Sequence, residues 1–230
     1  KSTSPAPLWM MKAVVPFATV ADAFLVPATT AEGVKLFLVL PADSGVRLEA
    51  QRIVDGDTEA TIELAGAQLG DDRLVPGTDA VHWLVARATV GLCALQLGVI
   101  ERALELTAAY ARELQQFGRP IGSFQAVAQR LADGYIDVEA ARLTLWEAAW
   151  RIASGLPAAT EIATAKFWAA DAGHRVAHTA VHVHGGTGID TDGPLHRYFV
   201  AAKRNEFSLG GATDQLRRRI STRSAFIRRA

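Results

Sequence analysis

A chain of 230 residues with 24 basic and 24 acidic side chains, half of its residues hydrophobic, can bury a real core as one large domain or as one domain plus part of another. Zero formal net charge removes any global pull towards nucleic acid or an anionic membrane, and no apolar run reaches the roughly 18 residues needed to cross a bilayer. The single cysteine, Cys93, excludes an internal disulfide, so a reducing, cytoplasmic setting is expected. Cys93 lies in the apolar helical pattern Val90-Gly91-Leu92-Cys93-Ala94-Leu95, with nothing nearby to lower its pKa, and reads as a buried structural thiol.

The opening Lys1-Ser2-Thr3-Ser4-Pro5-Ala6-Pro7 reads as a linker or a cut end, and the protein is expected to continue upstream. Up to about residue 76 the texture is that of strands. Ala13–Phe17, Ala23–Pro27 and Val34–Leu40 are short apolar runs bounded by Pro, Thr and Asp. Val46–Leu48 and Ala60–Leu64 partly alternate, with a turn at Asp55-Gly56-Asp57. Such strands need partners and predict a small antiparallel sheet or barrel. After Pro76-Gly77 the pattern becomes helical. Long helices are predicted over Asp79–Leu114, Ser123–Ser154 and Ala158–His184, with a short one over Leu195–Lys203 and a last one over Ala212–Arg229. In the first, Leu84, Leu92, Leu95, Val99 and Leu106 recur at helical spacing. The expected class is α+β, mainly α: a partial antiparallel β domain over 1–76, then a long-helix bundle of the four-helix type over 77–230.

Four words of sequence carry more than fold. Gln116-Phe117-Gly118-Arg119-Pro120-Ile121-Gly122-Ser123-Phe124-Gln125 joins the first two long helices, and His184-Gly185-Gly186-Thr187-Gly188-Ile189 closes the third. Pro194-Leu195-His196-Arg197-Tyr198 follows, and upstream stand Lys12–Pro16 and Ala21–Val26. In this order they resemble the "QFG.PI..FQ", "GG.G" and "P..R.YR" signatures and the middle β domain of acyl-CoA dehydrogenases; Gly98 and Tyr110 fall where that family has Gly and Tyr. The resemblance covers essentially the whole chain. It implies an FAD-dependent α,β-desaturation of acyl-CoA thioesters, in which a carboxylate takes the α proton and the β hydrogen leaves as hydride to the flavin. It further implies that the family's N-terminal helical domain and the first half of its β domain are absent here.

What the resemblance leaves in this chain is an edge of the cofactor site. Phe117 and Gln125 match family positions that touch the adenosine half of FAD on a neighbouring subunit. Gly185 and Gly186 match the turn that approaches the same cofactor, and His182 stands where relatives often have Gln. The family's catalytic Glu occupies one of two places. These hold Leu209 (Gly210 if slipped by one) and Ala88 here, so no catalytic residue is assigned. Glu206 is the nearest acid. Leu114 replaces an Arg before the "QFG" word, and Val200-Ala201 replace the "RD" after "YR".

The expected role is therefore a non-catalytic subunit of a heteromeric actinobacterial acyl-CoA dehydrogenase. It would pair with a homologous catalytic subunit as α2β2 and act on bulky CoA thioesters such as steroid side chains, with acyl-CoA bound at the partner's site. The alternatives are an active subunit using Glu206 as base, and a flavin-free helical binding or scaffold module. His174, His178 and His182 share one helix face and line a polar seam; without a supporting Cys or HExxH word they are not assigned a metal. Gly185–Gly188 follows a helix, not a strand, and reads as a C-terminal cap. The arginines from Arg217 to Arg229 read as a solvated face, with a partner subunit or a CoA phosphate as the other use. Trp146, Trp150 and Trp168 are expected in the bundle core.

Overall fold

The computed structural model describes residues 7–54, 56 and 58–218. The fold is α+β and mainly α. The chain divides into two compact units, Lys1–Val85 and Ala86–Ala230.

The first unit is built from five strands: β1 (Leu8–Pro16), β2 (Phe24–Thr30), β3 (Gly33–Val39), β4 (Val46–Arg52) and β5 (Thr58–Ala67). They do not form one sheet. β5 pairs antiparallel with β1 on one side and β4 on the other, while β2 and β3 form a separate hairpin. Period-2 alternation sends Ala60, Ile62 and Leu64 of β5 and Phe24 and Val26 of β2 inward, where they share one core with Phe37 and Val39. The expected Asp55-Gly56-Asp57 turn lies at the β4–β5 link, where Gly56 has φ +78°; the two aspartates lie outside the described residues.

The second unit is a helical bundle of α1 (Ala80–Glu113), α2 (Gln125–Ala153), α3 (Ala159–His184) and α4 (Leu195–Phe207), with α1 starting before the division between units. α4 continues one turn beyond the expected Lys203. Residues 212–218 are helical, and the rest of the predicted last helix lies outside the described residues. The buried stripe of α1 is Thr89, Cys93, Gln96, Ile100, Ala103, Thr107 and Ala111, a 3.6-residue period. The leucines singled out from sequence sit beside that stripe, and Leu95 is exposed. α3 buries mostly alanine, which lets its backbone come close: a Cβ on Gly173 would lie 1.8 Å from Gln96 Nε2.

By length and composition alone, α1 is long and apolar enough to cross a membrane. A core helix has the same composition, and α1 buries Gln96, which donates to Ala202 O and accepts from Asn205. Two tryptophans depart from expectation. Trp168 packs against the core, but Trp146 and Trp150 are 66% and 55% exposed. Both lie on the side of α2 opposite Val138, Ala141, Leu145 and Ala148, which the bundle takes for its core. Apolar character marks a residue for burial without saying whether its own chain supplies the cover.

Candidate functional site

At one end of the bundle α1 and α3 finish and α2 begins. α1 and α2 are joined by a tight hairpin in which β6 (Gln115–Gln116) pairs with β7 (Arg119–Pro120). The two residues between them, Phe117 and Gly118, have φ +54° and +75°. Positive φ at both positions is what a type I′ turn requires, and Asn or Gly meets that need without strain. Phenylalanine there costs about 1 kcal/mol of backbone strain and is displayed outward, 92% exposed. It is therefore not the core aromatic that a helix junction would ordinarily hold. Its ring stands edge to face with Phe124, 6.2 Å between ring centres, and the Arg119 guanidinium lies 4.1 Å over the centre of the Phe124 ring. Gly122 presses against the end of α1, where a Cβ would come within 3.0 Å of Ala111 O.

Gln125 opens α2 and is exposed. At the same end, α3 closes on Gly185, with φ +63° and ψ −138°, a conformation kept for glycine. Its amide donates to the carbonyls of Val181 and His182. A Cβ on Gly185 or Gly186 would meet nothing, so their backbone faces open space. Gly188 is packed instead, its virtual Cβ 2.9 Å from Val181. Tyr110 holds the ends of α1 and α3 together: its ring stacks on His184 at 4.1 Å and its hydroxyl donates to His184 O at 3.5 Å.

From this end an open groove of about 770 Å³ runs between α2 and α3. His182, His178 and His174 line one wall, and Arg130, Asp133 and Asp137 the other. Arg175 crosses its floor, donating to both oxygens of Asp137 (2.7 and 2.6 Å) and to Asp171. Those carboxylates push the Arg175 pKa up. At the far end His174 stacks near His178, 4.4 Å between ring centres. Partial desolvation, then the charges of His174 and Lys203, push His178 down from 6.5, with Glu206 opposing. Among the described residues no group of three or more His, Cys, Asp or Glu side chains gathers to hold a metal ion. The α2 wall was missed from sequence. Its signal was present as Arg130, Asp133, Gly134 and Asp137, a polar stripe at i, i+3, i+4, i+7 facing the histidines.

The two positions at which the sequence led us to expect a catalytic carboxylate hold exposed, non-acidic side chains: Ala88 on α1, and Leu209 with φ +59° just after α4. Glu206 points to α3. Its Oε2 accepts from Lys203 Nζ at 2.6 Å, and both oxygens lie 3.3 Å from His174 Nδ1. The loop after α4 is held in place: Gln215 donates to the carbonyls of Leu209 and Gly210, and the Gly211 amide donates to Asp214. That amide is therefore not open to an external anion.

Residues 76–225 match the family model described as the C-terminal domain of acyl-CoA dehydrogenase. The chain belongs to the acyl-CoA dehydrogenase family. Its members are FAD-dependent flavoproteins. Acyl-CoA dehydrogenase FadE27 of Mycobacterium tuberculosis is 57% identical over 212 residues, covering 89% of this chain and 57% of that protein. A chain of the ChsE4–ChsE5 complex, also from Mycobacterium tuberculosis, superposes with a TM-score of 0.91 at 53% identity, covering 97% of this chain and 64% of that one. A chain of the Tcur3481–Tcur3483 steroid ACAD, in a variant form, superposes equally well, with a TM-score of 0.91 at 38% identity over 98% of this chain and 62% of that one. This acyl-CoA dehydrogenase chain thus spans about three-fifths of the length of these relatives.

The residues present fit one edge of a dinucleotide. An exposed aromatic face, an exposed amide side chain, a groove-lining imidazole and two bare glycines stand at one end of the bundle. Leu114, half-buried beneath the hairpin, offers no charge, but Arg130 in the groove and Arg119 on the hairpin place cations nearby.

Proposed function

We propose that this chain is a non-catalytic subunit of a heteromeric acyl-CoA dehydrogenase. It lends its bundle end to FAD bound with an unlike, catalytic subunit, in a complex of two copies of each. The observation that carries the proposal is the lack of any available carboxylate where the family's base belongs. Ala88 and Leu209 cannot accept a proton, and Glu206 is turned to α3 and held by Lys203 and His174. Taking a proton from carbon needs a base within hydrogen-bond reach of it. FAD, when bound, supplies the hydride acceptor for the acyl-CoA.

Within that complex Phe117 stacks on the adenine, an interaction worth about 1 kcal/mol beyond its buried area. Gln125 and His182 supply polar contacts, and the bare backbone at Gly185 and Gly186 admits the cofactor closely. The division into a partial middle β domain over residues 1–76 and a C-terminal bundle over 77–230 belongs to the same proposal. So do a cytoplasmic location and a steroid side-chain CoA ester as substrate; the steroid description of one superposing complex supports the last.

The test is to purify the chain alone and with an unlike acyl-CoA dehydrogenase subunit, then record flavin absorbance and acyl-CoA oxidation by an artificial acceptor. Oxidation only with the unlike subunit is expected; turnover by the chain alone would restore Glu206 as a candidate base. In the complex, Phe117→Ala is expected to weaken flavin retention about fivefold. Unchanged retention removes Phe117 from the site.

A further inference from the structure

Phe117, Gln125, Gly185 and Gly186 suit a planar base, but none of them carries a charge. The link that joins the two halves of FAD is an anionic diphosphate, and a guanidinium grips phosphate best, through its fork of N–H groups. Leu114, half-buried beneath the hairpin, offers no donor. The arginines near this end differ in what they are free to do. Arg119 lies over the Phe124 ring. Arg175, deeper in the groove, is taken up by both oxygens of Asp137 and by Asp171. Arg130 is exposed in the α2 wall, and among the described residues its guanidinium pairs with no carboxylate. It follows Gln125 by five residues, about 7.5 Å along the helix axis. On the α3 wall of the same groove stands His182, within a turn of Gly185.

We propose that the mouth of the α2–α3 groove is a diphosphate site, in which Arg130 of α2 and His182 of α3 donate to the phosphates of FAD from opposite walls. This site rests on the flavin role proposed above. It gives the chain a cation for the cofactor that position 114 does not supply, from a different helix and a different face. Asp133 lies one turn deeper on the α2 wall, and among the described residues it too makes no ion pair. Its charge repels phosphate, so the anion is kept at the mouth beside Arg130 and does not move on towards Asp137. Acyl-CoA carries an adenosine diphosphate as well, so the two ligands share the chemistry that Arg130 and His182 recognise, and measurement separates them.

The test uses the complex with the unlike subunit. Its FAD dissociation constant is read from released flavin at about 50 mM and about 500 mM NaCl, since salt screens an exposed charge. The parent complex should hold FAD less tightly at the higher salt. Arg130→Gln should weaken retention about tenfold at the lower salt and flatten the salt dependence, with helical content unchanged because the side chain is exposed. Arg130→Lys, which keeps the charge and loses the fork, should recover part of the retention. His182→Gln keeps a donor and should hold FAD better than His182→Ala. At saturating FAD the KM for acyl-CoA should stay the same in every variant. Retention indifferent to Arg130→Gln, or a salt dependence that it leaves unaltered, would overturn the site. So would a raised KM with retention intact, which would give the pair to acyl-CoA. If Phe117→Ala weakens retention and Arg130→Gln does not, the diphosphate site alone falls; if neither does, the flavin role falls with it.

Discussion

Single side chains in the groove show how neighbours set chemistry. His178 sits by His174, Lys203, Glu206 and the edge of Phe199. Partial desolvation of this exposed ring comes first, and the positive neighbours add to it, so the folded imidazole resists protonation relative to its ordinary 6.5. The unfolded chain then binds a proton that the fold refuses. Stability from this group is intact above pH 6.5 and declines as the pH falls through that value towards the depressed one. His178→Asn, which carries no titrating ring, should therefore lose less thermal stability than the parent between about pH 7.5 and about pH 5.5. Equal losses, or an imidazole NMR titration above 6.5, would show that the neighbours do not act on it as described.

The elements of the bundle are joined by polar pins inside an apolar core. Lys166 on α3 is fully buried, and its ammonium donates to the carbonyls of Asn205 (3.1 Å) and Glu206 (3.0 Å) at the end of α4. Those carbonyls have no partner within the helix, and the C-terminal end of a helix favours a cation. Desolvation still pushes the Lys166 pKa down, so the pin holds a strained charge that the helix end stabilises. Gln96 on α1 completes the pin through Asn205 and Ala202. Lys166→Ala is expected to cost about 2–4 kcal/mol, from a cavity and two orphaned carbonyls. Lys166→Met should cost less, because it keeps the stem that packs. Chemical denaturation of both variants checks this; equal costs would mean that packing of the stem contributes nothing.

At the scale of the molecule, each unit has its own core, and Cys93 reports on one of them. It is buried in the bundle, and desolvation pushes its thiol up to about 12 despite the opposing Lys166 charge. At about pH 8 native protein should not react with a thiol reagent, since the thiolate is the reactive form. Reaction should appear with denaturant at the midpoint where helical circular dichroism is lost. Rapid labelling of the native chain would place Cys93 outside the core.

The three long helices, their ends to within about two residues, and the α+β class follow from local chemistry: apolar periodicity, the Phe117-Gly118 break and the Gly185 stop act through neighbours in sequence. The placement of Phe117, Gln125, His182, Gly185 and Gly186 at one end of the bundle was also legible, because their motifs sit at helix ends that sequence locates. Only the tertiary structure decided which apolar side chains the chain covers for itself. Trp146 and Trp150 carry the same hydrophobic signal as core residues, and their exposure depends on where α1 and α3 pack around α2. The Arg130–Asp137 wall, the hold on Glu206 and the split between a three-stranded sheet and a hairpin were likewise beyond sequence. Each joins residues distant in the chain, and periodicity specifies a face without specifying what that face meets.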